Sequence, residues 1–445
     1  MRLSLAGGLI VAALLVSASA RAELPEFMKD KRPLRDDDVA EKVEGGYFTG
    51  LPLANSDPNF GVGFGARAYR FENGSRSSDF FGYTPYRHRL YAQAFFTTRG
   101  FQYHVLDWDA PYLDDTPFRL RGTLAFERNT ATNYFGNGTS TLNRLRYPGT
   151  DRTFASYDDY VDSQRDTNGG VYQRYDQYIL TRPTALVSVE RDFFGGLVRG
   201  LVGFRSSYVS VDQWTGRDDQ GSVQARTRLD EDCASGHARG CNGGFNNSLK
   251  LGVAFDTRDF EPDPNSGVFV DFVTELSGRA IGSEFDWARA TLSPKFYWSP
   301  FPKLTDLVVA TRLVGQVQTA DTPIFAMNEL SFTDGNREGL GGLRTMRGFT
   351  LNRFVGRALA LANVELRWTF AEIHPLKKQR FAFMIVPFFD IGRVFDSIED
   401  FELARFRNAQ GAGFRIAWNQ ATIVCVDYGV SREGSALYIN FNHPF

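Results

Sequence analysis

The feature that most constrains this chain is a recurring alternation of apolar with small or polar residues, in a sequence with no helical membrane span after its first 22 residues. Such a span needs roughly 18 or more consecutive apolar residues. Leu249, Leu251, Val253 and Phe255 alternate with Ser248, Lys250, Gly252, Ala254 and Asp256. Val364, Leu366, Trp368 and Phe370 alternate with Asn363, Glu365, Arg367 and Thr369, and Leu437, Ile439 and Phe441 with Ala436, Tyr438, Asn440 and Asn442. A period of two sends the two sets to opposite faces of a strand. The class is therefore all-β, although a soluble sandwich would alternate too.

The first 22 residues read as an export signal: Arg2 precedes an apolar run from Leu3 to Val16, and small residues from Ser17 to Ala22 offer a cleavage site after Ala22. Sixteen candidate strands follow, beginning near residues 46, 60, 88, 102, 117, 177, 197, 247, 267, 285, 305, 357, 381, 408, 421 and 435. If the first rises from the periplasm, the long connections 129–176, 213–246 and 318–356 all fall on the outer side. The turns 112–116, 193–196 and 300–304 are short, whereas 72–87 is not. Short periplasmic turns and long external loops are the asymmetry of an outer-membrane barrel. A closed barrel also leaves no unpaired backbone edge in hydrocarbon. The expectation is a transmembrane antiparallel β-barrel of 16 strands over residues 45–445, located in the bacterial outer membrane. It follows a signal peptide, 1–22, and a short charged periplasmic segment, 23–44. In that segment Asp36, Asp37 and Asp38 precede Val39 and suit the start of a short helix. A flexible tail, a lumen plug and a contact surface are the readings open to it. The closing Phe445 looks like the recognition signal of bacterial outer-membrane barrels.

Composition excludes several functions. Lys and Arg number 50 against 52 Asp and Glu, without the clustered basic surface that nucleic acid requires. Three cysteines are too few for a disulfide scaffold or a structural zinc site. Gly-X-Ser-X-Gly, His-Glu-X-X-His and P-loop motifs are absent, and the five histidines, at 88, 104, 237, 374 and 443, have no helper at catalytic spacing. The reading is of a non-enzyme with no metal and no cofactor. Cys233 and Cys241 lie in an external connection, where oxidising conditions favour a disulfide-closed loop, and His237 between them lacks the company for a metal site. Cys425 faces the lumen as an unreactive small residue.

Three blocks resemble the superfamily of BamA, TamA and the two-partner secretion transporters. They are Asp256-Thr257-Arg258-Asp259 with Pro264, Gly267 and Glu275; Gly341-Gly342-Leu343-Arg344-Thr345-Met346-Arg347-Gly348-Phe349 with Gly356, Asn363, Glu365 and Arg367; and Phe388-Phe389-Asp390-Ile391-Gly392-Arg393-Val394-Phe395-Asp396. Asn133-Tyr134-Phe135-Gly136-Asn137-Gly138 resembles a weaker loop element of the same superfamily. The resemblance implies that the connection between candidate strands 11 and 12 is an inward-folded sixth external loop. It also implies that Asp256, Arg258 and Gly267 form a periplasmic hairpin tying strand ends together.

An Arg carried into a barrel lumen loses hydration and needs carboxylates, which its planar fork can engage two at a time. Arg347 is therefore expected to pair with Asp390 and Glu365, with Gly348 letting the backbone turn beside Phe349. Gly45, Gly46 and Gly50 weaken the first strand, whose closing partner is the last strand with Phe445. The resemblance makes this seam a lateral gate. Superfamily members that assemble or secrete proteins carry periplasmic POTRA domains, and the 22 residues from Glu23 to Glu44 are too few for one. Two function classes follow. One is translocation or insertion of protein or lipid at the outer membrane through the seam. The other is a structural or interaction barrel, with a porin-like channel as the weaker third. The partners implied are outer-membrane lipid, periplasmic or envelope proteins, and further copies of the chain.

Overall fold

The computed structural model describes residues 28, 33–34, 36–57, 60–259, 261, 263–376, 379–418 and 422–445, so the expected signal peptide lies outside the described residues. Sixteen strands form one sheet in sequence order, each antiparallel to the next. They are β1 (Gly46–Asp57), β2 (Gly61–Glu72), β3 (His88–Thr97), β4 (Gln102–Ala110), β5 (Phe118–Asn133), β6 (Gln177–Phe193), β7 (Val198–Gln213) and β8 (Gly244–Asp256). The second half comprises β9 (Gly267–Ser277), β10 (Trp287–Trp298), β11 (Asp306–Gln318), β12 (Ala358–Leu376), β13 (Gln379–Phe395), β14 (Arg407–Trp418), β15 (Thr422–Ser431) and β16 (Gly434–Phe441). Every start falls within three residues of its sequence-based expectation.

The burial pattern is that of a soluble protein turned inside out. Leu251, Val253 and Phe255 of β8 are exposed on the outer face, whereas Lys250 and Ala254 between them are buried. On β12, Leu366 and Trp368 are exposed while Glu365 and Arg367 are buried. An apolar outside and a charged inside suit a wall whose solvent is lipid.

Connections 134–176, 214–243 and 319–357 leave β5, β7 and β11, so all three emerge at the same end. They carry the short helices α2 (Tyr157–Asp166), α3 (Arg228–Ala234) and the single turn α4 (Ile324–Met327). The third folds inward and supplies a core that the strands alone could not form. Its Leu330, Phe332, Leu340, Met346, Phe349 and Phe354 pack against Val314, Leu361, Val394 and Ala409 of the wall.

At the opposite end the N-terminal segment docks on the long turn 73–87. A short helix, α1 (Asp36–Glu41), leads to Lys42, whose Nζ donates to the carbonyls of Phe81 (2.8 Å) and Thr84 (2.7 Å). Arg76 in turn donates to the Lys42 carbonyl (2.8 Å), and Met28 is buried against Phe80 and Tyr112.

The two ends of the sheet differ from its middle. Tyr47 and Phe48, on opposite faces of β1, are 36% and 70% exposed, and Pro52 lies within this strand. Proline cannot donate to a ladder and is confined to edges and bulges. Phe445 corrects the expectation that placed it at the seam. Beyond β16 the chain turns into the lumen, where Phe445 packs on Tyr297, Val308 and Ala310 of β10 and β11. The Arg367 guanidinium, deep in the wall, donates to its main-chain oxygen (2.9 Å).

Candidate functional site

The site is the point where the inward loop meets the wall. Arg347 is 1% exposed, so its charge has no water to solvate it. Its Nε and Nη2 donate to the two oxygens of Asp390 on β13 at 2.9 and 2.8 Å, a bidentate fork. Nη1 donates to Glu365 on β12 (2.8 Å) and to Asp427 on β15 (3.1 Å). The backbone N–H of Arg347 also donates to Asp390 (3.1 Å), and the guanidinium lies 3.4 Å over the Phe388 ring. One cation is thus shared by carboxylates from three strands.

Those carboxylates are themselves balanced. Glu365 accepts from Arg415 (2.7 and 3.0 Å) and from Arg367 (3.0 Å) as well as from Arg347. Asn363 donates to Asp390 (2.7 Å) and to the Thr345 carbonyl (2.7 Å), and Arg312 donates to the Asn363 oxygen (2.8 and 3.0 Å). Three guanidinium groups face three carboxylates, and their mutual attraction and hydrogen bonds offset the cost of taking these charges out of water. Burial alone would lower the Arg347 pKa, but Asp390, Glu365 and Asp427 outweigh it and raise it.

Glycines let the loop approach this closely. Gly348 has φ +94°, and a Cβ there would sit 2.8 Å from the carbonyl carbon of Val430. Across the contact, a Cβ on Gly429 would meet the Arg347 backbone at 2.7 Å. The Gly348 N–H donates to Tyr438 Oη on β16 (3.0 Å), and Ser431 Oγ donates to the Gly348 carbonyl (2.8 Å). Phe349, next in sequence, is buried edge-on against Phe354 at 5.1 Å between ring centroids.

The loop is held on the far wall too. Glu329, at the start of a loop hairpin, accepts from Arg182 of β6 (2.5 Å) and Arg205 of β7 (2.8 and 3.2 Å). Burial would raise the Glu329 pKa, yet Arg205 and Arg182 hold it well below the usual carboxylate range. A third tie joins Arg353 to Glu433 in the β15–β16 turn (2.7 and 3.1 Å) and to the Thr141 carbonyl (2.5 Å). The Asn133–Gly138 element docks on the same loop, with Asn133 donating to the Leu351 carbonyl (2.8 Å) and the Gly138 N–H to the Val355 carbonyl (2.8 Å).

The structure brings Arg347, Glu365 and Asp390 together and adds Asp427, Arg415, Phe388, Gly429, Arg353 and Glu329, which the sequence reading did not place in the site. Asp427 was within reach, since it shares the inward parity of Cys425 on β15. Glu329 was not, because it lies in an irregular connection with no period to follow. At the first block, Arg258 engages Asp256 through both oxygens (2.9 and 2.7 Å) and lies 4.3 Å over the Phe269 ring of the next strand. Gly267 has φ +112°, and a Cβ there would meet the Thr257 carbonyl oxygen at 2.5 Å. Cys233 and Cys241 are joined by a disulfide with a Cα–Cα distance of 6.0 Å. His237 contacts Ser235 (2.8 Å), and no cluster suited to a metal ion occurs among the described residues. Gly45 donates to the Gly74 carbonyl (3.0 Å), while Gly46 and Gly50 pair with Glu72 and Ala68 of β2.

A family model described as the Omp85 superfamily domain matches residues 102–431, well over half of the chain. The chain belongs to the Omp85 superfamily. A second model, a domain of unknown function (DUF5982), matches residues 24–87, which take in the docked segment and the first two strands. Among solved structures, this Omp85 chain is similar to CdiB from Escherichia coli (TM-score 0.50, 11% identity, 89% of this chain and 61% of that one). It also matches BamA from Haemophilus ducreyi lacking POTRA domains 1–3 (TM-score 0.49, 13% identity, 90% and 69%) and CdiB from Acinetobacter baumannii (TM-score 0.43, 11% identity, 89% and 60%). It therefore spans about three fifths of the length of both CdiB chains. No curated protein matches it. Membership makes it an outer-membrane β-barrel, of a superfamily of transporters and assembly factors rather than enzymes.

Proposed function

We propose that this Omp85 barrel passes polypeptide into or across the outer membrane through the seam between β1 and β16, with the 319–357 loop as a fixed lumen element. The observation that carries this reading is the three-carboxylate seat of Arg347 within a loop braced on both walls. A wall built only to enclose a structural barrel needs no such element, and a porin needs its lumen open. The seam strands add support: β1 holds Gly46, Gly50 and Pro52, and Leu437 and Ile439 on β16 are 63% and 71% exposed. A weakly packed strand with glycine and proline parts from its neighbour at lower cost than the β-branched strands elsewhere.

Outer-membrane protein levels would be measured in depleted cells complemented with cysteine pairs, one cysteine in β1 and one in β16. The expected result is loss of complementation under oxidation and recovery under reductant. Full complementation with the seam cross-linked would overturn the proposal. Lipid asymmetry measured in the same cells separates a protein substrate from a lipid one.

A further inference from the structure

The connection from β13 to β14, residues 396–406, emerges at the same end as the long loops and folds back over the outer face of the wall. Arg393 and Phe395 pair with Ala360 and Ala358 of β12 and share the outward parity of Phe389 on their own strand. Yet Arg393 is only 4% exposed and Phe395 is buried, because the connection covers them. Phe401 and Phe406 lie against the Phe395 ring, at 5.2 and 6.4 Å between centroids. Arg393 donates to the Ala404 carbonyl and pairs with Glu402 (2.7 Å). Ile398, Phe401 and Leu403 of the same connection stay exposed, Leu403 at 85%. Apolar side chains gathered on a segment laid over the outer face suit a membrane interface better than bulk water.

The same connection walls a cavity of about 390 Å³, lined by Arg393, Arg405 and Arg407 with Thr139 and Leu142 of the first long loop. The Nε of Arg393 and that of Arg407 are each buried without a hydrogen-bond partner, a costly state for a cation. Arg407 donates its Nη2 to the Leu142 carbonyl (2.5 Å), and Arg432, Arg353 and Arg393 repel it while Glu433 attracts it. Arg405 makes no hydrogen bond or ion pair among the described residues. The carboxylates of the cavity are already engaged. Asp396 accepts from the Thr139 N–H (2.9 Å) and hydroxyl (2.6 Å), Asp400 from Ser397 (2.9 Å) and Glu402 from Arg393. What is left over is cationic, and planar guanidinium groups match phosphate oxygens two at a time. A water-soluble phosphate would leave Ile398 and Leu403 uncovered, whereas a lipid covers them, and the cavity has room for a sugar that carries the phosphate. We propose that this cavity binds the phosphate of a membrane glycolipid at the outer surface. Arg405 and Arg407 hold the phosphate, Arg393 secures the connection that forms the site, and the acyl chains lie against Ile398, Phe401 and Leu403. The site goes beyond the transport reading and does not depend on it.

The test measures binding of bisphosphorylated lipid A to the full chain in detergent with EDTA present, by native mass spectrometry, with the heat-dependent gel shift of folded barrels as a control. Lipid A stripped of its phosphates should bind at least about ten-fold more weakly. Arg405→Ala with Arg407→Gln should erase that preference. If the pair does not fold, Arg405→Ala alone should still reduce it about three-fold, since this side chain holds nothing else together. Arg279→Ala, an exposed arginine on the β9–β10 connection at the same end, should leave it unchanged. Ile398→Ser with Leu403→Ser should weaken lipid A binding, and inorganic phosphate should compete poorly. Equal binding of the two lipids, or an unchanged preference in the arginine variants, would overturn the proposal. Binding seen with calcium and lost with EDTA would overturn it too, in favour of a divalent ion on the carboxylates. Inorganic phosphate that binds as tightly as the lipid, with no effect of the serine pair, would overturn the lipid source and leave a site for free phosphate.

Discussion

At the scale of single residues, the lumen loop depends on charge matched within a space that water does not reach. Replacing Arg347 by Ala leaves Asp390, Glu365 and Asp427 buried with one counter-ion fewer. Breaking a buried ion pair by removing one partner costs roughly 3–5 kcal/mol. The expected outcome is a matching fall in unfolding free energy, read by urea titration in lipid vesicles. Arg347→Lys should recover only part of it, since an ammonium cannot make the two-pronged contact with Asp390. Gly429→Leu tests the fit without touching charge: its side chain would meet the Arg347 backbone, so the loop should lose protease protection while the barrel stays folded. The Arg347, Glu365 and Asp390 contact could be anticipated because two of its members lie on strands whose alternation fixes which way they face. Asp427 follows the same parity on β15, but only the folded loop shows that Arg347 reaches across to it. Glycines such as Gly429 gave no warning, because the reason for a missing side chain lies on another element.

At the scale of elements, the segment beyond β16 is the least legible part. A terminal Phe closing an alternating strand reads as a recognition signal and a seam residue, yet the chain leaves the ladder after Asn442 and enters the lumen. Buried cations on β11, β12 and β14, invisible to a count of local periodicity, meet it there. Burial, with Arg367 and Arg415 close by, pushes the His443 imidazole down to about 4 from 6.5, against the opposing hydrogen bond to Asp263. Asp263 is held below its ordinary value despite its own burial, chiefly by His443. The released segment takes up a proton at higher pH than the tucked one, so the tucked form is fully favoured above pH 6.5 and loses ground as pH falls from 6.5 to 4. A spin label at Pro444→Cys should become more mobile across that window and not between pH 7 and 8. The external disulfide belongs to this scale as well. Cys233→Ala with Cys241→Ala should speed proteolysis within 214–243 and leave heat resistance of the barrel nearly unchanged, because the bridge closes a loop with a sequence separation of only 8.

At the scale of the molecule, the number of strands, their order and the end bearing the long loops were all readable, because lipid outside and charge inside impose a period of two over the whole wall. The filling of the lumen was readable only in outline. Leu330, Phe332 and Phe354 sit in a connection with no regular period, and their partners Val314, Leu361 and Val394 lie on strands of the wall. Glu329 engages β6 and β7, whereas Arg347 engages β12, β13 and β15, so the loop acts as a strut across the bore. Glu329→Gln should release one end of that strut and shorten the lifetime of the folded barrel at elevated temperature, with single-channel recordings showing larger or noisier openings. The strut also treats the two outermost staves unequally. Among the described residues its hydrogen bonds to them fall on β16, through Tyr438, so under the proposed route β16 would be the stave held by the loop and β1 the one left to part from it.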